Sequence, residues 1–243
     1  MKSWKLALSA AAFFVLYACQ KSETFDSEFN KFRDYVTSFS SGTVSAHREI
    51  RVGLAFTKSE WKPNQEFDAS LFSISPSVKG KVILLPNNVL AFKPEKPLAQ
   101  DTEYRVTLQL GKLLDVPADL SKFNFTIRTL KQDLVVEKLD LQSYNADTHF
   151  LNAQLRTADN LSAELAPKII TASQDGQPLE VKFNALSATR FPFMVDGIKR
   201  KRTPSKVVIK WNGDAASVNN SGEVEMVIPA RDQFKVVDVR VAD

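Results

Sequence analysis

The sequence predicts an all-β protein made of two consecutive β-sandwich domains that follow an N-terminal signal peptide. Short runs in which apolar and polar residues alternate recur along most of the chain, and clusters of proline, asparagine, glycine and serine separate them. Charged residues make up 25% and hydrophobic residues 44% of the sequence, which is typical of a globular protein. Many short strands with turns between them indicate sandwiches.

The first residues have the features of a lipoprotein signal peptide. Lys2 and Lys5 precede an apolar run that lacks charge up to residue 18 and is shorter than the ~20 residues that cross a bilayer. The run ends in Leu16-Tyr17-Ala18-Cys19, which resembles the bacterial lipobox. We therefore predict that residues 1–18 are removed by cleavage between Ala18 and Cys19, and that Cys19, the only cysteine, is lipidated. The alternative is an ordinary signal peptide in which Cys19 has no role.

Residues 19–40 are predicted to form a polar tether and a short helix. Five apolar residues recur at spacings of four, three, four and three, which places them on one helix face: Phe25, Phe29, Phe32, Val36 and Phe39. Tyr35, Thr37 and Phe39 also alternate, so a strand is the alternative. We favour a short helix that leads into a strand. Packing into the first domain is the preferred role of these phenylalanines, ahead of a membrane or partner contact.

Residues 41–130 are predicted to form the first sandwich. Alternating runs begin at residues 50, 78, 88, 104 and 123. Leu98, Asp101 and Tyr104 stand in the order Leu-x-x-Asp-x-x-Tyr directly before one of these runs. Immunoglobulin-like sandwiches place a tyrosine there, and its hydroxyl bonds to the upstream backbone. We therefore expect an immunoglobulin-like domain in which Tyr104 has a structural role.

Residues 131–230 are predicted to form the second sandwich. Strand-like runs begin at residues 134, 150, 168, 179, 206 and 223, and Asn160–Pro167 could hold one helical turn. The apolar stretch Phe191–Val195 is expected to pack in the core rather than against a neighbouring domain. In the last part, 231–243, alternating valines predict a strand. That strand either closes the second sandwich or opens a third domain.

The composition argues against several classes of function. One cysteine excludes an internal disulfide framework, and His47 and His149 lie too far apart for a short-spaced zinc motif. No nucleotide-binding glycine motif is present. Both histidines are expected in loops, without a nucleophile to activate. We therefore predict no catalytic residue, no metal, no cofactor and no enzymatic activity. Cleavage of the signal peptide would lower the net charge of +4 by two, so a nucleic-acid partner is not expected.

One dense basic run stands out in the second domain. Lys199, Arg200, Lys201 and Arg202 lie between Asp196-Gly197 and Thr203-Pro204, which predicts a hairpin tip or a loop. Such a loop could contact anionic lipid or envelope glycan, or could be cut by a trypsin-like protease. The favoured interpretation is a solvated loop that protects a sheet edge from aggregation.

Several stretches carry a resemblance to a known family. The residues in Ser41–Val52, Leu71–Val82 and Leu90–Tyr104 together resemble the N-terminal domain of bacterial alpha-2-macroglobulin-like lipoproteins, especially the Bacteroidetes-type branch. The ending Ile228–Arg240 resembles the passage from the second to the third domain in that family. The resemblance implies that both sandwiches are of the macroglobulin type.

The resemblance also implies a function. Members of the family are long chains of macroglobulin domains that are anchored by lipid in the cell envelope and trap proteases through a Cys-x-Glu-Gln thioester. No Cys-x-Glu-Gln occurs in this sequence, so this chain should not trap a protease alone. We expect a lipid-anchored N-terminal portion linked to protease inhibition, whether as a truncated or split gene product or as an anchoring remnant. Its expected partners are the membrane, through the lipid, and downstream macroglobulin domains or a protease.

The expected location is the cell envelope. Gln20, rather than an aspartate, follows Cys19, which is compatible by analogy with sorting to the outer membrane. The alternative function is that of an independent envelope lipoprotein whose immunoglobulin-like domains bind a glycan or a protein.

Overall fold

The computed structural model describes residues 29–184 and 187–232. Backbone contacts divide the chain into two compact units, Met1–Thr129 and Leu130–Asp243. Strands dominate both units, and each forms an immunoglobulin-like sandwich. The predicted all-β fold with two consecutive sandwiches is therefore confirmed.

The first unit contains two sheets. Its strands are β1 (Val36–Phe39), β2 (Gly42–Val44), β3 (Ile50–Leu54), β4 (Glu66–Phe67), β5 (Phe72–Ser75), β6 (Gly80–Leu85), β7 (Val89–Pro94), β8 (Glu103–Leu108) and β9 (Phe123–Thr129). One sheet has the order β1-β3-β7-β6-β4 and the other has the order β2-β9-β8-β5. The chain changes sheets between β1 and β2, and β2 runs parallel to β9. If β1 and β2 together are strand A and β4 is left out, this order is the immunoglobulin pattern A-B-E-D facing C-F-G.

Alternation along the strands fills the space between the two sheets. In β9, Phe123, Phe125 and Ile127 are buried and the residues between them are exposed. They belong to one apolar cluster that runs from Phe32 to Ile127. A strand with one buried face and one exposed face is the geometry that a period of two predicts.

The segment ahead of β2 is part of the first sandwich. Phe29–Asn30 are helical, a turn follows, and β1 pairs with β3. Phe32 is 6% exposed and Val36 is 0% exposed. The first sandwich therefore begins before residue 41, within the segment 19–40 that was predicted as tether and short helix. Burial of Phe32 and Val36 in its core removes their apolar surface from water and stabilises this arrangement. Core packing is confirmed for Phe32 and Val36, whereas Phe25 lies outside the described residues.

The described part of the second unit contains one short α-helix and one 3₁₀ turn, Gly213–Ala216, among its strands. Its elements are β10 (Leu134–Ser143), β11 (Thr148–Thr157), α1 (Ala166–Ile169), β12 (Ile170–Gln174), β13 (Gln177–Phe183), β14 (Arg190–Lys199), β15 (Ser205–Asn212) and β16 (Ser221–Ile228). The strand order is β10-β11-β14-β13-β12-β15-β16. The α-helical turn at Ala166–Ile169 overlaps the last two residues of the stretch 160–167 that was predicted to hold one, and Pro167 lies in its first turn, where proline is tolerated.

Strand β13 takes part in both halves of the second sandwich. Gln177–Leu179 pair with β12, whereas Glu180–Phe183 pair with β14. Counted in both sheets, β13 gives the orders β10-β11-β14-β13 and β13-β12-β15-β16. The first matches A-B-E-D, and the second matches C-F-G when β13 is left out. Strands that switch sheets make the corners of such sandwiches.

The core of the second unit is built from facing strands of these two halves. Phe191, Phe193 and Val195 of β14 are at most 1% exposed, which confirms that this apolar stretch packs in the core. They join a cluster that extends from Leu134 to Ile228. The turn at Asp175-Gly176 joins β12 to β13, and both residues have positive φ, as a type I′ hairpin turn requires.

Candidate functional site

Tyr104 lies at the start of β8 and closes a corner of the first sandwich. Its hydroxyl accepts a hydrogen bond from the backbone N–H of Ala99 at 2.9 Å, and its side chain is 3% exposed. Nearby, Thr129 Oγ1 donates to the carbonyl of Ala99 at 2.6 Å. The predicted structural role of Tyr104 is confirmed.

The two histidines have different environments. His47 is exposed in a turn, as predicted. His149 was expected in a loop, and that expectation is wrong, because His149 lies in β11 opposite Ile198 of β14 and is 7% exposed. Its Nδ1 atom has no hydrogen-bond partner within residues 29–184 and 187–232. His149 shares a strand face with buried Leu151, so the residue belongs to the interior of the sandwich.

The basic run Lys199–Arg202 begins at the end of β14 and continues into the connection to β15. The predicted loop is present, but it is not a hairpin tip, because β14 and β15 are not neighbours in the sheet order. The Arg200 guanidinium donates to the carbonyls of Pro229 at 3.4 Å and Ala230 at 2.9 Å. Arg200 therefore holds the segment that follows β16 and is not simply solvated.

Acidic residues pair with cations in this region. Lys201 Nζ lies 2.7 Å from Asp175 Oδ2, and Arg231 forms an ion pair with Asp147. The hydrogen bond from Lys201, together with the backbone N–H of Lys206, lowers the pKa of the Asp175 carboxyl. Arg231 N–H also donates to the carbonyl of Lys201. Arg200 and Lys201 thus link the ends of strands. Lys199 and Arg202 are exposed and form no ion pair with a residue in 29–184 or 187–232.

A groove in the first unit brings an aromatic ring and two lysines together. Trp61 is half-buried, and its ring centroid lies 5.6 Å from that of Phe56 and 5.4 Å from that of Phe67. Lys58 Nζ lies 5.8 Å from the centroid of the Trp61 ring. A cavity of about 290 Å³ opens beside these groups, and Lys112 and Leu113 complete its wall. We refer to it as the Trp61 groove.

The Trp61 groove continues into a second cavity. That cavity has a volume of about 510 Å³, shares Lys58, Lys112 and Leu113 with the first, and extends along Leu114–Val116. Small-molecule sites typically measure ~300–1,000 Å³ and combine apolar walls with a few convergent polar groups. The second cavity lies within this range of volume, and Trp61, Phe67 and Leu71 form the apolar wall of the first.

Hydrogen bonds fix the polar groups of the groove. Lys112 Nζ donates to Ser70 Oγ at 2.8 Å, and the Ser70 N–H donates to Asp68 Oδ1 at 2.7 Å. The bond from the Ser70 backbone, more than the Lys112 charge, lowers the pKa of the Asp68 carboxyl. The groove therefore presents an ionised carboxylate next to an oriented ammonium group.

Sequence analysis did not identify the Trp61 groove. Its residues come from the chain around β4, from the turn before β5 and from a short 3₁₀ turn at Leu110–Lys112. A period of two identifies strand faces but does not show which loops meet at one end of a sandwich. The available hint was the aromatic spacing of Phe56, Trp61 and Phe67 beside Lys58.

Other predicted sites stay untested. The lipobox residues Leu16, Tyr17, Ala18 and Cys19 lie outside the described residues, as does most of 231–243. In the part of the chain that the structure describes, no cluster of three or more histidine, cysteine or acidic side chains could hold a metal ion. Within the same residues, each helix is too short or too polar to pass through a bilayer.

Comparisons with known proteins gave distant structural similarity alone. No protein-family profile matches the chain, and no curated protein matches it. A solved titin fragment, A168169, covers 79% of this chain and 95% of its own length at 6% identity, with a TM-score of 0.27. Domains 4 and 5 of the S-layer protein SbsC cover 77% of this chain and 94% of their own length at 10% identity, with a TM-score of 0.31.

A second fragment of the S-layer protein SbsC is also similar. Domains 5–6 cover 80% of this chain and 98% of their own length at 9% identity, with a TM-score of 0.23. Likeness at this level carries no argument about function. The immunoglobulin-like class therefore rests on the strand order of each unit.

Proposed function

We propose that this protein is a lipid-anchored, non-enzymatic component of the cell envelope, and that it acts by interaction as the N-terminal portion of an alpha-2-macroglobulin-like system. The observation that carries the proposal is the sequence order: a stretch that resembles a lipobox, Leu16–Cys19, is followed by two immunoglobulin-like domains. The stretches of the first domain that resemble the macroglobulin family support the link to protease inhibition. Without Cys-x-Glu-Gln, the chain anchors or presents rather than traps.

Several polar side chains have partners within their own domain. The buried polar groups Gln132 and Thr129 bond to loops of their own domains. Arg200 bonds to the segment after β16. These contacts stabilise the sandwiches and need no substrate.

The anchoring part of the proposal is tested at Cys19. Mass spectrometry of the native N-terminus should find an acylated Cys19. Several acyl chains on this residue would give essentially permanent membrane retention. Replacement of Cys19 by serine should move the protein from the membrane fraction to the soluble fraction. Ser22→Ala, close by in the predicted tether, is the matched control and should leave the protein in the membrane. An unmodified N-terminus at another residue would disprove anchoring.

The link to the macroglobulin system has its own test. We expect the native protein, cross-linked in intact cells, to be joined to a polypeptide that carries macroglobulin domains and a Cys-x-Glu-Gln sequence. Cross-linked products that consistently lack any such polypeptide would contradict this part of the proposal.

A second candidate function is that of an independent envelope lipoprotein that binds a glycan or a protein. The Trp61 groove favours it, because a half-buried tryptophan beside two lysines lines a cavity of ligand size. Such a protein would need no macroglobulin partner.

A further inference from the structure

We propose that the Trp61 groove binds an acidic saccharide, with a sugar ring against the Trp61 indole and a sugar carboxylate between Lys58 and Lys112. The proposal rests on the second candidate function and names the class of its ligand. The groups that carry it are a supported aromatic ring, two ammonium groups and one fixed carboxylate on the wall of the same cavity.

The indole provides a supported surface for a ring-shaped ligand. Phe67 contacts Trp61 edge to face, with an angle of 87° between the ring planes, and Phe56 contacts it at 53°. Aromatic pairs in such arrangements are attractive beyond the area that they bury. The Trp61 side chain therefore loses little conformational freedom when a ligand binds, which lowers the entropic cost of binding. The faces of a sugar ring carry C–H groups, which suit the negative face of an aromatic ring.

The two lysines supply the charge that a carboxylate requires. Lys58 and Lys112 line both cavities of the groove, and neither forms an ion pair with a carboxylate in residues 29–184 or 187–232. The bond to Ser70 Oγ orients the Lys112 ammonium group. Hydrogen bonds between an ammonium and a carboxylate are shorter and roughly twice as strong as neutral ones.

The acidic residues of the groove supply acceptors for the hydroxyl groups of a saccharide. Asp68 lines the first cavity and Asp115 lines the second. A uronic acid residue carries one carboxylate and several hydroxyls, and those hydroxyls can donate to the acceptor oxygens of Asp68.

Calorimetric titration of the full chain in detergent, with a short oligogalacturonate as the probe, tests the proposal. We expect saturable binding, and a neutral maltooligosaccharide of the same length should bind at least about tenfold more weakly. Lys58→Gln and Lys112→Gln should each weaken binding about tenfold. Trp61→Ala should abolish it, and Trp61→Phe should retain part of it. Lys93→Gln, which changes an exposed lysine of β7 outside the groove, is the matched control and should have no effect.

Three results would overturn the proposal. The first is no binding of oligogalacturonate at about millimolar concentration. The second is equal binding of an oligoglutamate with the same number of charges, which would assign the groove to acidic peptides. The third is equal loss in Lys93→Gln, which would indicate attraction by the general surface charge. None of these results would alter acylation of Cys19 or membrane retention, so failure of the ligand assignment is distinct from failure of the anchoring proposal.

Discussion

At the scale of single residues, one hydroxyl closes the corner that leads into β8. Tyr104 Oη accepts the backbone N–H of Ala99, and the aromatic ring lies in the core. A hydrogen bond of this kind contributes ~0.5–1.5 kcal/mol to the free energy of unfolding. The short pattern Leu98-x-x-Asp101-x-x-Tyr104 predicted this contact because the partners are neighbours in sequence as well as in space.

Tyr104→Phe tests that contribution. The variant keeps the ring and removes the acceptor, so we expect the free energy of unfolding by urea to fall by about 1 kcal/mol. Tyr144→Phe is the matched control, since Tyr144 is 55% exposed and its hydroxyl contacts only surface groups of β14, the sulfur of Met194 at 3.8 Å and the Asp196 carboxylate. The control should change stability by less than about 0.5 kcal/mol. Equal stability of Tyr104→Phe and the native chain would contradict the structural role of the hydroxyl.

His149 and Arg200 show where prediction at single residues ends. The polar neighbours Asp147 and Thr148 suggested a loop around His149, but pairing with β14 places the side chain on the buried face of β11. The basic run suggested solvent exposure, but Arg200 meets carbonyls of residues that are about thirty positions later in the chain. Both outcomes depend on strand partners, and a local pattern does not contain them.

At the scale of elements, the alternating runs predicted most strands because a half-buried strand requires period two. The predicted run Phe123–Thr129 coincides with β9. The two-residue strand β4 escaped prediction because its pairing with β6 rather than its own pattern defines it. The double use of β13 was also not predictable, since its change of partner occurs within one continuous alternating run.

The β15–β16 hairpin depends on a close contact between a glycine and a tryptophan. Gly222 is paired with Trp211, and a Cβ atom added to Gly222 would lie 2.3 Å from Trp211 Cζ2. The indole Nε1 donates to Asn220 Oδ1 at 2.8 Å, which holds the ring in place above the glycine. A side chain at residue 222 must therefore displace the ring.

Gly222→Ala is expected to lower the free energy of unfolding by ~1–3 kcal/mol, because overpacking forces the indole out of its position. Urea denaturation measures the change, and a shift in Trp211 fluorescence should accompany it. The companion variant Trp211→Leu, combined with Gly222→Ala in a double-mutant cycle, should show coupling between the two positions. Strictly additive effects would contradict the contact between glycine and ring.

At the scale of the whole molecule, the structure confirms the two predicted sandwiches, whereas the membrane anchor stays a prediction. The order of the two sandwiches was predictable because turn clusters and alternation repeat twice along the chain. The Trp61 groove was not predictable, because loops that are distant in sequence form it. Lipidation of Cys19 and the macroglobulin connection stay predictions, since they rest on sequence resemblance.

Each unit has a core drawn from its own residues. One apolar cluster contains buried residues from Phe32 to Ile127, and the other contains those from Leu134 to Ile228. Thr129 bonds to Ala99 and Thr102 in the first unit. Gln132 Nε2 donates to the carbonyl of Asp159 in the second. Leu130 and Lys131 therefore lie between Thr129, which bonds within the first unit, and Gln132, which bonds within the second. A cut between Leu130 and Lys131 breaks none of these hydrogen bonds.

Division of the chain between Leu130 and Lys131 is therefore expected to give two pieces that fold separately. A domain with its own hydrophobic core can in principle fold alone. Each piece should show the circular dichroism of β-structure and a cooperative urea transition. Division between Asp175 and Gly176 is the control, because it breaks the β12–β13 hairpin inside the second core. The piece that begins at Gly176 should show no cooperative transition, and the other piece should keep only the transition of the first sandwich. If the piece that begins at Lys131 were unfolded, the second sandwich would depend on the first.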